Sequence, residues 1–149
     1  MTKVILLVED NKSDEKLTLL AFRSCGIAND VKVVRDGAEA LDYLFGTGVY
    51  AGAEPSALPA LVLLDLNLPR VSGHEVLRRL RSDARTKLLP IVVLTSSNED
   101  KDLARSYELG VNAYVRKPVD FTEFAVAARA VGLFWLLLNE LPPAIRDTP

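Results

Sequence analysis

The sequence predicts one α/β domain: a parallel sheet of five strands with five helices on its two faces. Short apolar, β-branched runs alternate with helical patterns along the whole chain, the pattern of strand–helix–strand units. The first, third and fourth runs are continuously apolar, as strands covered on both faces are. Helix start and stop signals fall at the junctions between runs.

The strands are expected at residues 4–8, 31–34, 61–64, 91–94 and 113–115, and the helices at 13–24, 38–45, 73–82, 100–109 and 121–140. Asp36 with Glu39, and Asp120 with Glu123, read as capping boxes. Gly26 and Gly110 stand where helix C-terminal glycines belong. Right-handed crossovers follow from the alternation. Residues 46–59, with Gly, Ala, Pro and Ser, read as an exposed loop. A single domain is expected over 1–141, its core over 3–132 and its extended last helix running to about 140. Residues 142–149, PPAIRDTP, are expected to leave the fold as a tail.

Composition narrows the function. The chain has 149 residues, 49% hydrophobic and 26% charged, with a net charge of -2. No block of like charge supplies a broad basic face, which argues against nucleic acid as a partner. The single cysteine, Cys25, excludes an intramolecular disulfide and fits a reducing cytosol. Cys25 is expected in the core or at a helix end. The first apolar run and the FWLLL segment are each too short to span a bilayer, so a soluble cytoplasmic protein without membrane contact is expected.

The chemistry converges at strand ends. The first strand ends in Glu9-Asp10, the third in Asp65, the fourth in Thr95 and the fifth in Lys117-Pro118. An open parallel sheet binds ligands outside the carboxyl ends of its strands, so these residues should meet in one crevice. Three carboxylates there repel one another, and a divalent cation removes that penalty. All-oxygen ligands suit Mg²⁺. Without His or Cys at these strand ends, zinc is not expected. Lys117 beside a cation makes sense when a multiply charged anion comes between them. A phosphoryl group on Asp65 does this, its oxygens reaching the metal, Lys117 and the Thr95 hydroxyl. A solvent-facing turn aspartate would not explain four matching strand ends. A helix-dipole role for Glu9-Asp10 would not explain two acids abutting an apolar strand.

The segments VED-Asn11, LVLLDLNLPRVSG, VVLTSS and YVRKP, in this order and at strand ends, resemble the bacterial two-component receiver domain from about Lys3 to Gly132. The resemblance implies a CheY-like, flavodoxin-like sheet of order 2-1-3-4-5, with Asp65 as phosphoacceptor. It further implies that Asp10 binds Mg²⁺ directly, Glu9 acts mainly through water, and Asn67 offers its backbone carbonyl. Thr95 would bond the phosphoryl group and Lys117 would pair with it. Pro118 would follow a cis bond, and Tyr114 would be the aromatic switch of a face made by the fourth helix, fifth strand and fifth helix. The long loop, the LDLNLP wording and the Phe134-Trp135-Leu136 ending resemble the stand-alone response regulators of bacterial phytochromes, implying a histidine kinase of that type as partner.

The last helix carries two apolar stripes. Phe124, Ala128, Val131, Trp135 and Leu138 should face the sheet. Val126, Ala130, Leu133, Phe134 and Leu137 would then be exposed, which points to a homodimer face. His74, the only histidine, is expected exposed at the start of the third helix. Ser97 and Asn112 are placed to tune access to the site. The competing readings are a binding module that works without phosphorylation and an aspartyl-nucleophile phosphatase. The latter usually has a second acid two positions after the nucleophile, where this chain has Asn67. A phosphate acceptor with no separate substrate turnover, not an enzyme, is the expected function.

Overall fold

The computed structural model describes residues 3–52 and 58–148. Residues 1–2, 53–57 and 149 lie outside the described residues, and with them the start of the chain, the middle of the expected 46–59 loop and the last tail residue.

The elements run β1 (Ile5–Val8), α1 (Lys12–Ser24), β2 (Val31–Val34), α2 (Gly37–Phe45), β3 (Leu61–Leu64), α3 (Gly73–Ser82), β4 (Ile91–Thr95), α4 (Asp100–Glu108), β5 (Ala113–Arg116), α5 (Phe121–Leu133) and α6 (Pro143–Arg146). A short 3-10 turn at Gly48–Tyr50 occupies the start of the long loop. All strand pairs are parallel and the order is β2-β1-β3-β4-β5. The order reverses between β1 and β3, which opens the crevice beyond Val8 and Leu64.

Alternate strand residues feed two cores. Leu6, Val8, Val62, Leu64, Ile91 and Val93 pack with Leu41, Leu44, Val76, Leu77 and Leu80 of α2 and α3. Ile5, Leu7, Leu61, Leu63 and Val92 face Phe22 of α1 and Val131 of α5. Burial on both faces explains why these runs lack polar alternation.

Local chemistry sets the helix ends. Asn11 Oδ1 accepts the Asp14 amide at 3.0 Å, so α1 starts one residue earlier than predicted. Asp36 caps α2 and Asp120 caps α5 through the amides of Glu39 and Glu123. In the first, Glu39 Oε1 takes the Arg35 amide rather than that of Asp36. Gly26 and Gly110 have the expected positive φ. Cys25 is the C-cap of α1.

The C-terminal end departs from expectation. The α-helix stops at Leu133 and continues as a π-helical turn over Phe134–Leu138, closed by Asn139 N–H donating to Phe134 O at 2.7 Å. The extra residue rotates the chain beyond it by about 100°. Trp135 packs on the core as expected and Leu136 joins it, while Leu138, expected in the core stripe, is exposed. Nor does the tail leave the fold: Ile145 is 1% exposed and packs with Leu58 and Leu141, and Lys3 Nζ donates to Thr148 O and Oγ1 at 3.2 and 2.9 Å.

By length and composition Phe121–Leu138 is apolar enough to cross a membrane, with a mean hydropathy of 1.6. Its Phe124, Ala128 and Val131 are nonetheless buried against the sheet and α1.

Ile145→Ala should destabilise the domain by roughly 2–5 kcal/mol, the cost of emptying a buried aliphatic site. Urea unfolding followed by far-UV circular dichroism reads this directly; an unchanged midpoint would mean that the tail does not pack as described.

Candidate functional site

The carboxyl ends of β1, β3, β4 and β5 bring Glu9, Asp10, Asp65, Thr95 and Lys117 into one crevice. Glu9, Asp10 and Asp65 place carboxylate oxygens within 4.8 Å of one another. Glu9 and Asp65 are buried, at 2% and 6% exposure, whereas Asp10 is open to solvent. Lys117 Nζ reaches Glu9 Oε1 at 2.7 Å, Asp14 Oδ2 at 2.8 Å and Asp65 Oδ2 at 2.9 Å. An ammonium has three donors, so this one is fully used.

The other oxygen of Asp65, Oδ1, accepts from Thr95 Oγ1 at 2.9 Å and from the Asn67 amide at 3.2 Å. Gly73 permits this packing. Its amide donates to Leu66 O at 3.0 Å, and a Cβ there would run into the Asp65 backbone oxygen and Leu66 Cα. Gly37 is similarly close to the Val71 backbone, locking α2 onto the loop after β3. In that loop Arg70 has φ 68° and pairs with Asp36 at 3.4 Å.

The electrostatics reflect burial set against a cluster of acids around one cation. Burial raises the Glu9 carboxyl from 4.5 to about 7, against the lowering influence of Lys117 and with a further rise from Asp65. Burial alone would lower the Lys117 ammonium, but hydrogen bonds to Asp14 and Glu9 and the charges of Asp65 and Glu9 raise it. Both partners move up without contradiction, because burial governs Glu9 while the three surrounding acids govern Lys117.

Sequence reasoning missed Asp14, which stands in the first turn of α1, four residues after Asp10. It misplaced Asn112, which sits at the opposite edge of the sheet, where its Oδ1 accepts from the Ile91 amide and Arg81. Ser97 does lie beside the site, its amide 3.4 Å from Thr95 Oγ1. Tyr114 is half-buried and its hydroxyl donates to Ser97 O at 3.5 Å. The cis bond expected before Pro118 is absent: every peptide bond among the described residues is trans. The trans form is the lower-energy isomer of an X–Pro bond, and here Lys117 reaches its three acids with it. His74 is half-buried rather than exposed, bonded to α4.

A doubly wound sheet of order 2-1-3-4-5 with an acidic, lysine-bridged crevice at its switch point is the CheY-like architecture of signalling receiver domains. The signature of the response regulator receiver domain spans residues 5–129, and the chain belongs to that family. Among curated relatives, the probable methanogenesis regulatory protein FilR2 of Methanothrix harundinacea is 42% identical, covering 93% of this chain and 87% of its own. Response regulator Rcp1 of Synechocystis is 39% identical over 95% of each chain. The phosphorylated cyanobacterial phytochrome response regulator RcpA superposes with a TM-score of 0.87 at 41% identity, over 95% of this chain and 99% of that one. The bacteriophytochrome response regulator AtBRR is 54% identical, with a TM-score of 0.73 over 94% and 99%. A Mn(2+)-bound form of Rcp1 matches with a TM-score of 0.87 at 38% identity, over 94% and 99%.

A divalent cation fits this crevice. The donors are all oxygen, and three carboxylates converge within 4.8 Å of one another, an arrangement whose mutual repulsion such an ion removes.

In metal-free protein Glu9 keeps its proton in the fold where the unfolded chain has lost it. That contribution to stability is complete below about pH 4.5 and disappears as pH rises through about 7. Glu9→Gln should therefore gain on wild type between pH 5 and 8, by on the order of 1–3 kcal/mol. Denaturant unfolding in chelator across that range checks it; a pH-independent difference would count against the raised carboxyl.

Proposed function

We propose that the chain is a single-domain response regulator that accepts a phosphoryl group on Asp65 from a histidine kinase, with Mg²⁺ as its ion. The observation that carries this is the pair of donors on Asp65: Lys117 on one oxygen and Thr95 on the other, each at 2.9 Å. The same donors can pass from the resting carboxylate to the oxygens of a phosphoryl group, where charge accumulates during transfer. A carboxylate oxygen of Asp65 attacks phosphorus, the bond from phosphorus to the donor imidazole nitrogen breaks, and the imidazole leaves with the electron pair and takes up a proton. Glu9, Asp10, Asp65 and the Asn67 backbone carbonyl would hold the cation. When bound, that ion offsets charge on the phosphoryl oxygens.

Thr95 and Tyr114 act as the switch in this reading. The hydroxyls of both already converge on the segment after β4. The output passes through the α4–β5–α5 face, where Val126, Leu133, Phe134 and Leu137 are exposed. With Ala130 they make an apolar patch suited to a second copy of the chain. A phytochrome-type kinase is supported by the likeness to RcpA and AtBRR. The likeness to FilR2 leaves the receiver chemistry the same whichever kinase serves it. Cytoplasmic residence fits kinship with these stand-alone regulators. The protein turns over no substrate of its own.

With Mg²⁺ and acetyl phosphate, intact mass should rise by one phosphate, and Asp65→Asn should abolish the gain. Lys117→Met should slow the gain by roughly 10²-fold, the cost of removing one donor from developing charge. An unmodified wild-type chain would sink the reading. Sedimentation equilibrium at micromolar protein should show a dimer that Phe134→Asp disrupts.

A further inference from the structure

We propose that Ser97, Asp102, Ser106 and His74 form a polar latch that couples Thr95, and through it the state of Asp65, to the packing of α3 against α4. The coupling to phosphorylation rests on the receiver reading above; the latch itself does not.

The chain of bonds is continuous. Thr95 Oγ1 donates to Asp65 Oδ1 and accepts the Ser97 amide at 3.4 Å. Ser97 Oγ donates to Asp102 Oδ2 at 2.6 Å. Asp102 O accepts from Ser106 Oγ at 2.8 Å. His74 Nε2 lies 3.1 Å from Ser106 Oγ and 3.3 Å from Asp102 O. The carbonyl of Asp102 only accepts, and the Ser106 hydroxyl proton is already given to it. His74 Nε2 must therefore carry a proton and donate into this pair.

The other half of the ring is covalent and stiff. His74 is the second residue of α3, one beyond Gly73, which is pinned against Asp65 and Leu66. A loop of bonds thus leaves Asp65 through Thr95, crosses α4, and returns to Asp65 through α3. Within it, α4 has the weakest anchorage. Its N-cap, Glu99, makes no side-chain cap. Instead the Glu99 amide donates to Ser97 Oγ at 3.4 Å, so Ser97 is where α4 is fastened. The nearby Arg116–Asp100 pair is exposed and 3.5 Å long, a weak tether.

Drawing Thr95 Oγ1 toward a phosphoryl oxygen stretches its already long bond to Ser97. Either Ser97 follows and takes the first turn of α4 with it, or that bond breaks. Both outcomes alter the surroundings of His74, the only histidine in the chain. These four residues are positioning residues: none touches the reacting atoms.

The imidazole resonances of His74 report the latch without ambiguity of assignment. In unmodified protein, Thr95→Ala should displace them, and should displace them no further in a Ser97→Ala background. With Mg²⁺ and acetyl phosphate, they should move in wild type in step with the phosphorylated fraction measured by intact mass. In Ser97→Ala and Asp102→Ala they should stay in place while the mass still rises. Ser97→Thr, which keeps the hydroxyl, should restore the response, separating loss of the latch from loss of folding. Resonances untouched by Thr95→Ala, a phosphorylated wild type with unmoved resonances, or a full response in Ser97→Ala would each overturn the latch. Failure of wild type to gain mass would sink the phosphoacceptor reading alone, and the Thr95→Ala comparison would still decide the latch.

Discussion

One ammonium holds this molecule's functional end together. Lys117 Nζ bridges carboxylates from β1, α1 and the end of β3, at 2.7 to 2.9 Å. Buried acids at this spacing would otherwise expel one another or stay protonated. The parallel register of β1 against β3, and of β4 against β5, brings these side chains within reach of a single lysine. Even so, three carboxylates face a single ammonium, and burial raises Glu9 to about 7. The crevice is thus poised to take more positive charge from outside.

The same constraint explains which parts of the site were legible in the sequence. Glu9, Asp10, Asp65, Thr95 and Lys117 each follow an apolar strand, and parallel strands deliver their ends to one edge. That inference needs only strand positions, which β-branched runs announce. Asp14 was missed because it sits inside a helix, where an acid near the N-terminus has an ordinary explanation. Asn112 was misplaced because it precedes β5 rather than coming after it, so it belongs to the opposite edge. His74 depends on how α3 meets α4, a tertiary relation that no local pattern encodes.

The C-terminal end shows a different limit. A continuous α-helix to residue 140 was the natural reading of an apolar stretch with no Gly or Pro after Gly132. The π-turn at Phe134–Leu138 cannot be read from apolar residues, since both helix types use them. Its effect is large: Trp135 still packs on the core as expected, but Leu138 turns outward, and the chain is redirected toward Ile145's site. The Pro142-Pro143 pair, which sequence reasoning took for an exit, starts the short α6 instead.

The return of that segment has a topological consequence. Lys3 and Thr148 are joined by hydrogen bonds, so the two ends of the described chain lie side by side. They meet below the amino-terminal ends of the strands, at the pole away from Asp65. A short linker could close the backbone there into a ring, and new termini could be opened in a surface loop without separating the residues of the crevice. For the same reason, a label or reporter attached near either end would stand far from Lys117 and would leave the acidic crevice accessible.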